Sequence, residues 1–203
     1  MVRIAIFGAT GRTGNILVQK ALAEGNDVVA IARHPENLQV RHERLSIVTG
    51  ELDDDEAIAN AISGADAVIE GVGAVSDGTK RIVDTMDRQG VRRLIAISTC
   101  SVSDALDLPD AKFKALIQFV KTAAPQAYKE ILRAAEFVRS SDLDWTLVRV
   151  AKLKNGSGSG RVKVGYYGHG VVGLSIARAD LASFLLDQAK DDSYIKQSPA
   201  ISN

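Results

Sequence analysis

Three glycines near the start of the chain have the spacing of a phosphate-binding turn. The residues Gly8-Ala9-Thr10-Gly11-Arg12-Thr13-Gly14 directly follow an apolar run and open an amphipathic segment. In such a turn the first glycine lets the chain leave a strand sharply, the second lets backbone approach a pyrophosphate, and the third lets a helix pack close to a sheet. The N–H groups at the start of that helix then face the phosphates. We therefore predict a dinucleotide site that includes Gly8, Thr10, Gly11, Arg12, Thr13 and Gly14.

The residues after the second predicted strand indicate which dinucleotide is preferred. A site that prefers NAD places Asp or Glu there to hold the ribose 2′-hydroxyl. Here the strand ends in Ile31-Ala32-Arg33-His34 and has no carboxylate. The planar guanidinium of Arg33 can instead pair with a 2′-phosphate, and Arg12 could close over the same phosphate or over the pyrophosphate. We predict NADP(H), the alternative being that both arginines are solvated surface residues.

The residues after the third predicted strand lie where the adenine of a bound dinucleotide is expected. Glu51 could accept a hydrogen bond from the adenine amino group, and Leu52 could cover the face of the ring. The run of acidic residues 53–55 is better explained as charges that complement a helix N-terminus. No second cluster of ligands accompanies that run, and we predict no metal site.

The elements that must position these residues alternate along the chain. Short apolar runs predict six strands, at residues 4–7, 27–32, 45–48, 65–69, 93–97 and 143–148. Helices are predicted at 13–23 and 54–62, through Ile82, Val83 and Met86, and through Ile131, Ala135 and Val138. Nearly continuous Val/Ile runs separated by segments of 3.6-residue period indicate strands covered on both faces. Right-handed crossovers then give an α/β fold with a doubly wound parallel sheet, a Rossmann-like three-layer sandwich.

Two segments break this alternation. Within residues 103–127, Phe113, Leu116, Ile117 and Val120 have the spacing of an amphipathic helix, which would be either a pocket lid or a helix that docks a partner. Residues 154–160 read Lys-Asn-Gly-Ser-Gly-Ser-Gly and predict a flexible loop, either a surface connection or a mobile pocket edge. We expect residues 1–203 to form a single NAD(P)-binding domain, with its substrate cleft formed by 98–128 and 150–175.

Composition argues against several classes of protein. Lysine plus arginine and aspartate plus glutamate each total 25, so the formal net charge is zero, which does not suit a nucleic-acid-binding protein. No apolar run approaches the roughly 20 residues of a membrane span, and the apolar stretch at the N-terminus is too short for a signal peptide. The single cysteine, Cys100, cannot form an internal disulfide. We expect a cytoplasmic protein, a monomer or weak homodimer, with neither nucleic acid nor membrane as partner.

Four stretches carry a resemblance to a known family. They are residues 6–14, Gly64-Ala-Asp-Ala-Val-Ile69, Ser140-Ser-Asp-Leu-Asp-Trp-Thr146 and Ile176-Ala-Arg-Ala-Asp-Leu-Ala-Ser-Phe-Leu-Leu186. On these residues the chain resembles, over nearly its whole length, the atypical short-chain dehydrogenase/reductases with an NAD(P)H-binding, NmrA-like pattern. Within them it looks most like the biliverdin-IXβ reductase and flavin reductase group. The resemblance implies hydride transfer from NADPH to a flavin or a linear tetrapyrrole.

The resemblance also implies roles for three further strand ends. Gly71, Val72 and Gly73 after the fourth strand would run along the central part of the cofactor. The nicotinamide and its acceptor would meet residues after the fifth and sixth strands, namely Ser98, Thr99, Val150, Lys152 and Leu153.

The chain departs from the family at the proton donor. Ordinary short-chain dehydrogenases carry Tyr-x-x-x-Lys on the helix after the fifth strand, but Tyr128 is followed four residues later by Leu132. Lys129 would point about 100° away from Tyr128 on a helix. Tyr128 is therefore either a catalytic residue or part of a pocket wall. In addition, Lys152 stands where the bilin reductases place a histidine.

The missing dyad favours an acceptor that needs no proton donor at a fixed position. We expect direct hydride transfer without a side-chain acid, in which Ser98 and Thr99 orient the reacting rings. The alternative for Thr99 is a hydroxyl that bonds local backbone. We interpret Cys100 as a structural thiol, whereas Glu70 would either cap a backbone group or face the cofactor cleft.

These observations predict an NADPH-dependent reductase that transfers hydride to a flavin, a bilin or a similar planar conjugated acceptor. Two alternatives remain open. One is an NADP(H)-binding redox-sensing regulator without turnover. The other is an enzyme of the epimerase/dehydratase type, for whose C-terminal substrate domain 203 residues leave little room.

Overall fold

A computed structural model describes residues 1–203 as alternating strands and helices. The strands are β1 (Arg3–Phe7), β2 (Asp27–Ala32), β3 (Leu45–Thr49), β4 (Ala67–Glu70), β5 (Arg93–Thr99), β6 (Asp144–Val150), β7 (Leu153–Lys154), β8 (Lys163–Gly165), β9 (Ile176–Ala177) and β10 (Ala200–Ser202). The helices are α1 (Arg12–Ala23), α2 (Asp55–Ile62), α3 (Ser76–Gln89), α4 (Ala111–Ala123), α5 (Pro125–Ser140) and α6 (Arg178–Gln188), and a single 3₁₀ turn lies at Pro35–Asn37. None of these helices is both long and apolar enough to cross a membrane.

Eight strands form one sheet in the order β3-β2-β1-β4-β5-β6-β10-β8. All neighbours are parallel except β10 and β8, which are antiparallel. The strand order reverses between β1 and β4, which is where ligands bind in open α/β sheets. Phe7 pairs with Glu70, so β1 and β4 end side by side there, whereas β5 continues three residues beyond Ala96, the partner of Glu70, to Thr99. The predicted doubly wound, Rossmann-like fold is confirmed.

Helices cover both faces of the sheet. On one face α1 packs against α6, and Leu17, Ala21, Leu181 and Leu185 are buried between them and the strands. On the other face α2, α3 and α5 bury a second apolar cluster. The two clusters contain 22 buried residues each, so the sheet is equally well covered on both sides. This explains why the central strands β1, β2 and β4 are apolar over most of their length.

The six predicted strands are all present, with shifted ends. The strand predicted at 65–69 begins only at Ala67, because the Ala65 N–H bonds the Ile62 carbonyl in a turn, and it continues through Glu70. The fifth and sixth strands extend to Thr99 and Val150. Strands β7 to β10 have two or three residues each, too few to show an alternating pattern.

The amphipathic helix predicted within 103–127 is α4, and it begins at Asp110. The Asp110 side chain accepts hydrogen bonds from the N–H groups of Lys112 (2.8 Å) and Phe113 (3.4 Å). Of the four residues on the predicted apolar face, Phe113 alone is buried, and its ring centroid lies 4.1 Å from that of Tyr167. Helix α4 therefore buries little of its surface against the rest of the molecule.

A completely buried arginine holds the segment between β5 and α4 against the sheet. Arg149, in β6, donates from Nε to the Ser198 carbonyl (2.7 Å) and from Nη1 to the Val102 carbonyl (3.0 Å). Its two terminal nitrogens also bind the Asp107 carboxylate, at 2.5 and 2.9 Å. Burial alone would raise the pKa of Asp107, but hydrogen bonds from Arg149 and from the Asp104 N–H hold it below its usual value. The charge of Arg149 is thus compensated inside the fold.

We expect Asp107→Asn to lower the free energy of unfolding by about 3 kcal/mol, because it leaves a buried guanidinium without its counterion. Asp84→Asn is the matched control: Asp84 pairs with Lys80 at 2.6 Å on the exposed face of α3, and its loss should cost less than about 0.5 kcal/mol. Urea unfolding followed by the fluorescence of the single tryptophan, Trp145, measures both. Equal losses in the two variants would contradict the assigned role of Arg149.

Candidate active site

The turn after β1 leaves the N-terminus of α1 open. Gly11 is the N-cap residue, no side chain caps the helix, and its first turn has no acidic residue. By contrast, Asp54 caps α2 and Asp110 caps α4 with their own side chains. The first N–H groups of a helix have no partner within the helix, so an uncapped end can bind phosphate oxygens. The start of α1 therefore suits a pyrophosphate.

The three glycines of this turn meet different surroundings. Gly8 has φ +85°, and a Cβ on it would lie 2.8 Å from the Gly71 carbonyl oxygen. A Cβ on Gly14 would lie 2.0 Å from the Gly8 carbonyl oxygen, so no side chain fits there. A Cβ on Gly11 would approach only that same oxygen, at 3.2 Å, and otherwise point into open space. The outer glycines therefore shape the turn, and the space beside Gly11 is open, while its role in binding a ligand stays a prediction.

A cleft of about 230 Å³ lies at the C-terminal ends of the central strands, between α3 and α5. It connects the first turn of α1 with the apolar residues Ile131, Ala135 and Val138 of α5. Seven residues predicted from the sequence line it: Thr13, Gly71, Gly73, Ser98, Thr99, Val150 and Leu153. The α5 wall lies beyond the segment 98–128 that we expected to form the cleft.

Tyr128 and Lys152 lie outside this lining. Tyr128 is half-buried on α5, one turn before Ile131 on the same helix face, and the Lys121 ammonium lies 5.9 Å from its ring centroid. Lys152 is exposed, and its carbonyl accepts from the Ile176 N–H at 2.9 Å. The prediction that Lys152 contacts the cofactor therefore receives no support from the cleft geometry.

The remaining predicted cofactor residues lie outside the cleft lining. Arg12 and Arg33 are exposed, and neither forms an ion pair. Glu51 is also exposed, whereas Leu52 is half-buried and packs against the start of α3, where a Cβ on Gly78 would lie 3.0 Å from it. Thr10 and Val72 are half-buried. Both arginines are therefore free to bind an anion.

Thr99 and Cys100 make local contacts. The Thr99 hydroxyl oxygen accepts from the Ser101 N–H at 3.1 Å, which is the alternative that the sequence left open for this residue. Cys100 is buried beside Phe113 and Tyr167, and burial raises the pKa of its thiol. Cys100 is thus the structural thiol that we predicted. No group of three or more His, Cys, Asp or Glu side chains is arranged to hold a metal ion.

Glu70 faces the cleft, and sequence reasoning had left its role undecided. Its side chain lines the cavity at the end of β4 and bonds the Thr79 hydroxyl of α3. Burial raises the pKa of Glu70 to about 7, although the hydrogen bond with Thr79 opposes the shift. The only signal in the sequence was a carboxylate ending an otherwise apolar strand.

A carboxylate on α5 fixes the start of α3, which forms one wall of the cleft. Glu130 accepts from both the N–H (3.0 Å) and the hydroxyl (2.6 Å) of Ser76, a fully buried residue. These bonds replace a side-chain cap, which α3 lacks. Helices α3 and α5 are therefore joined where they enclose the cleft.

Asp180 anchors the glycine-rich loop. Its carboxylate accepts from the N–H groups of Ser159 (2.8 Å) and Gly160 (3.0 Å) and from the Asn203 side chain. Burial would raise the pKa of Asp180, but these hydrogen bonds hold it below its usual value. The loop predicted at 154–160 is thus tied at its far end to the start of α6.

The fold and the turn define a dinucleotide-binding protein of the Rossmann type. A family model described as NAD(P)H-binding matches residues 8–192. The chain belongs to this NAD(P)H-binding family.

Individual proteins resemble the chain at lower identity. A short-chain dehydrogenase/reductase from Veillonella parvula, crystallised with NADP, superposes with a TM-score of 0.85 at 20% identity, covering 100% of this chain and 94% of that one. ChuY, an anaerobillin reductase from Escherichia coli O157:H7, superposes with a TM-score of 0.82 at 22% identity, covering 98% and 96%. A (4-alkanoyl-5-oxo-2,5-dihydrofuran-3-yl)methyl phosphate reductase from Streptomyces griseus is 31% identical over 72% of this chain and 46% of its own length. The two structures establish the fold that the chain shares with reductases.

We expect Gly11→Ala mainly to weaken NADPH binding and Gly14→Ala mainly to destabilise the fold. Gly11→Ala should lower the free energy of unfolding by about 1 kcal/mol or less but weaken NADPH binding at least about tenfold, because its Cβ occupies the space for the pyrophosphate. Gly14→Ala should cost about 3 kcal/mol or more, because its Cβ overlaps backbone. NADPH fluorescence titration and urea unfolding give the two quantities. A stable Gly14→Ala protein, or unchanged affinity in Gly11→Ala, would refute these assignments.

The raised pKa of Glu70 predicts how stability depends on pH. The folded protein keeps a proton on Glu70 between its usual pKa of 4.5 and about 7, whereas the unfolded chain has released it, so the stability contributed by this group falls as pH rises through that window. Between pH 5 and 8 the wild type should lose about 2–3 kcal/mol more than Glu70→Gln, which has no proton to release. Urea unfolding of both proteins at the two pH values measures this. Parallel pH profiles would show that Glu70 is ionised throughout.

Proposed function

We propose that the protein is an NADPH-dependent reductase that transfers hydride to a planar conjugated acceptor of the flavin or bilin class. The observation that carries the proposal is the continuity of one cleft. Thr13, in the first turn of α1, and the apolar residues Ile131 and Val138 of α5 line the same cavity. A polar, phosphate-binding end at the open helix N-terminus and an apolar, ring-binding end are what a redox dinucleotide and a flat acceptor need together.

When bound, NADPH supplies the hydride from its nicotinamide ring. The open N-terminus of α1 would hold the pyrophosphate, while Arg33 and Arg12 would hold the 2′-phosphate. Glu51 and Leu52 would meet the adenine, and Gly71, Val72 and Gly73 would pass along the centre of the molecule. The nicotinamide end would be positioned by Ser98, Thr99, Val150 and Leu153.

The acceptor side of the cleft is proposed to be walled by segments 98–128 and 150–175. These segments contact each other, because the Leu108 N–H donates to the Tyr167 carbonyl (2.9 Å) and His169 Nε2 lies 2.8 Å from the Leu106 carbonyl oxygen. Both segments expose large apolar side chains, among them Leu106, Leu108 and Leu174. An apolar surface of this kind suits a flat conjugated ring. The likeness to an anaerobillin reductase and to a furanone phosphate reductase supports reduction of a conjugated system.

A second candidate is a regulator that binds NADP(H) without turnover. The observation in its favour is α4, in which Phe119 is 68% exposed although it lies on a helix with apolar neighbours. A helix that docks a partner protein would leave such a residue open.

Oxidation of NADPH, followed at 340 nm, separates the two candidates. FMN, riboflavin, biliverdin and a quinone are offered in turn, and we expect the loss of NADPH to depend on at least one of them. Tyr128→Phe should lower the acceptor-saturated rate by less than about tenfold, because Tyr128 lies outside the cleft lining and a lost general acid costs about a hundredfold or more. Tight NADPH binding without oxidation by any acceptor would support the regulator.

We expect the wild type to bind NADPH at least about tenfold more tightly than NADH, a difference of about 1.4 kcal/mol. The reason is that Arg33 is exposed, forms no ion pair and directly follows β2, the position at which a site that prefers NAD has a carboxylate. Arg33→Ala should remove most of the preference. Arg41→Ala is the matched control, since Arg41 is another exposed arginine of the connection between β2 and β3. Calorimetric titration with both nucleotides measures the ratio, and equal affinities in the wild type would contradict the assignment.

A further inference from the structure

The cleft contains a single ionisable side chain. Of the residues that line it, Glu70 alone can gain or lose a proton near neutral pH, the others being apolar residues, glycines, serine and threonines. Glu70 is 5% exposed, and it stands between Phe7 of β1 and Ala96 of β5. It therefore lies two residues below Ser98 in the register with β5, in the same cleft as the residues that the proposed function assigns to the nicotinamide.

The contact with Thr79 accommodates both protonation states of Glu70. The Thr79 hydroxyl oxygen is within hydrogen-bond distance of the Glu70 carboxyl and of the Val75 carbonyl, the latter at 3.2 Å. A hydroxyl has one proton to donate and can also accept. When Glu70 is ionised, Thr79 donates to it. When Glu70 is protonated on Oε1, Thr79 donates to Val75 and accepts from Glu70; when the proton is on Oε2, Thr79 donates to Oε1 and the Oε2 proton is available to the acceptor. The carboxyl can thus release and regain a proton while its side chain stays in place.

No charged group fixes Glu70 in its ionised form. Phe7 and Ala96 flank it on the neighbouring strands, and its pKa is set by burial and by Thr79 alone. On α5, Lys129 and Glu136 are exposed, and Arg139 pairs with Asp104 at 3.5 Å. Glu130 binds Ser76, and Arg133 pairs with Asp77 at 3.6 Å. An apolar site of this kind raises the pKa of a carboxylic acid toward neutral pH.

We propose that Glu70 is the proton donor for the reduction, in place of a tyrosine. This inference rests on the proposed function. Hydride adds to the conjugated acceptor, the O–H bond of the Glu70 carboxyl breaks, and its proton forms an O–H or N–H bond at a heteroatom of the acceptor. The products are NADP⁺ and the acceptor reduced by two electrons, and the Glu70 carboxylate recovers a proton from water. The step replaces the acid-free transfer that the sequence led us to expect.

Glu70→Gln tests the proposal, because the amide keeps the shape of the neutral acid and can still bond Thr79, but it cannot donate a proton to the acceptor as an acid. With the acceptor that serves the wild type best, we expect the acceptor-saturated rate to fall by about a hundredfold or more, while NADPH affinity changes less than twofold. The wild-type rate should fall as pH rises above about 7, where Glu70 loses its proton, and the residual rate of Glu70→Gln should not depend on pH in that range. A rate within tenfold of the wild type, or an equal loss of NADPH affinity, overturns the proposal.

A second variant keeps Glu70 in place. Thr79→Val removes the donor that stabilises the carboxylate, so the pH at which the rate falls should move upward, and Thr79→Ser should restore it. An unmoved profile in Thr79→Val overturns the coupling between the two residues.

A direct titration needs no turnover. In protein labelled with ¹³C at the glutamate carboxyl carbons, one resonance that is absent from Glu70→Gln should titrate near neutral pH. A Glu70 resonance that titrates in the ordinary acidic range overturns the proposal even if the enzyme is active. Failure of the wild type to reduce any acceptor overturns the proposed function, whereas activity retained by Glu70→Gln overturns only the role of Glu70.

Discussion

The close approach of α1 to β1 is the constraint on which the rest of the cleft depends. A Cβ on Gly14 would lie 2.0 Å from the Gly8 carbonyl oxygen, and a Cβ on Gly8 would lie 2.8 Å from the Gly71 carbonyl oxygen. Helix, first strand and fourth strand therefore meet at van der Waals distance. Because the parallel register also aligns Phe7, Glu70 and Ala96, the uncapped N–H groups of α1 and the floor of the apolar cavity face the same space. A single extra carbon at Gly14 would force the helix away from both.

The wall proposed for the acceptor is held by a different interaction, the buried charge of Arg149. An apolar side chain of similar size would cost less to bury, but it could not bind the carbonyls of Ser198 and Val102 and the carboxylate of Asp107 together. These three partners come from two connections without regular structure, Val102 and Asp107 from the one between β5 and α4 and Ser198 from the one between α6 and β10. The planar guanidinium supplies several donors in fixed directions, so one residue fixes the outline of this wall. Helix α4, which follows Asp107, has few other buried contacts.

The features of the fold that could be predicted from the sequence are those determined by residues close together in the chain. The strands β1 to β6 are apolar runs bounded by turns, and the roles of Gly8, Gly11 and Gly14 follow from backbone geometry within seven residues. The contacts that complete the site span long separations: 42 residues between Arg149 and Asp107, 54 between Glu130 and Ser76, and 21 between Asp180 and Ser159. Helix α6 was not predicted, because it is buried on most sides and its sequence shows no polar face. Nothing local in the sequence indicates which polar residues will meet after folding.

The effect of burial on pKa values explains why the cleft suits a carboxyl rather than a tyrosine as its acid. Removing a group from water disfavours its charged form, so burial raises the pKa of carboxyls and of tyrosines alike. For a carboxyl this moves the pKa toward neutral pH, as at Glu70, whose pKa burial raises to about 7. The pKa of an unperturbed tyrosine is about 10. Burial moves it further from neutral pH, as it does at Tyr167. A tyrosine acid consequently needs a nearby cation to lower its pKa, and the cleft lining contains none. An apolar cleft without the lysine of the usual dyad can therefore prepare a carboxylic acid by desolvation alone, and the chain has one carboxyl in that place.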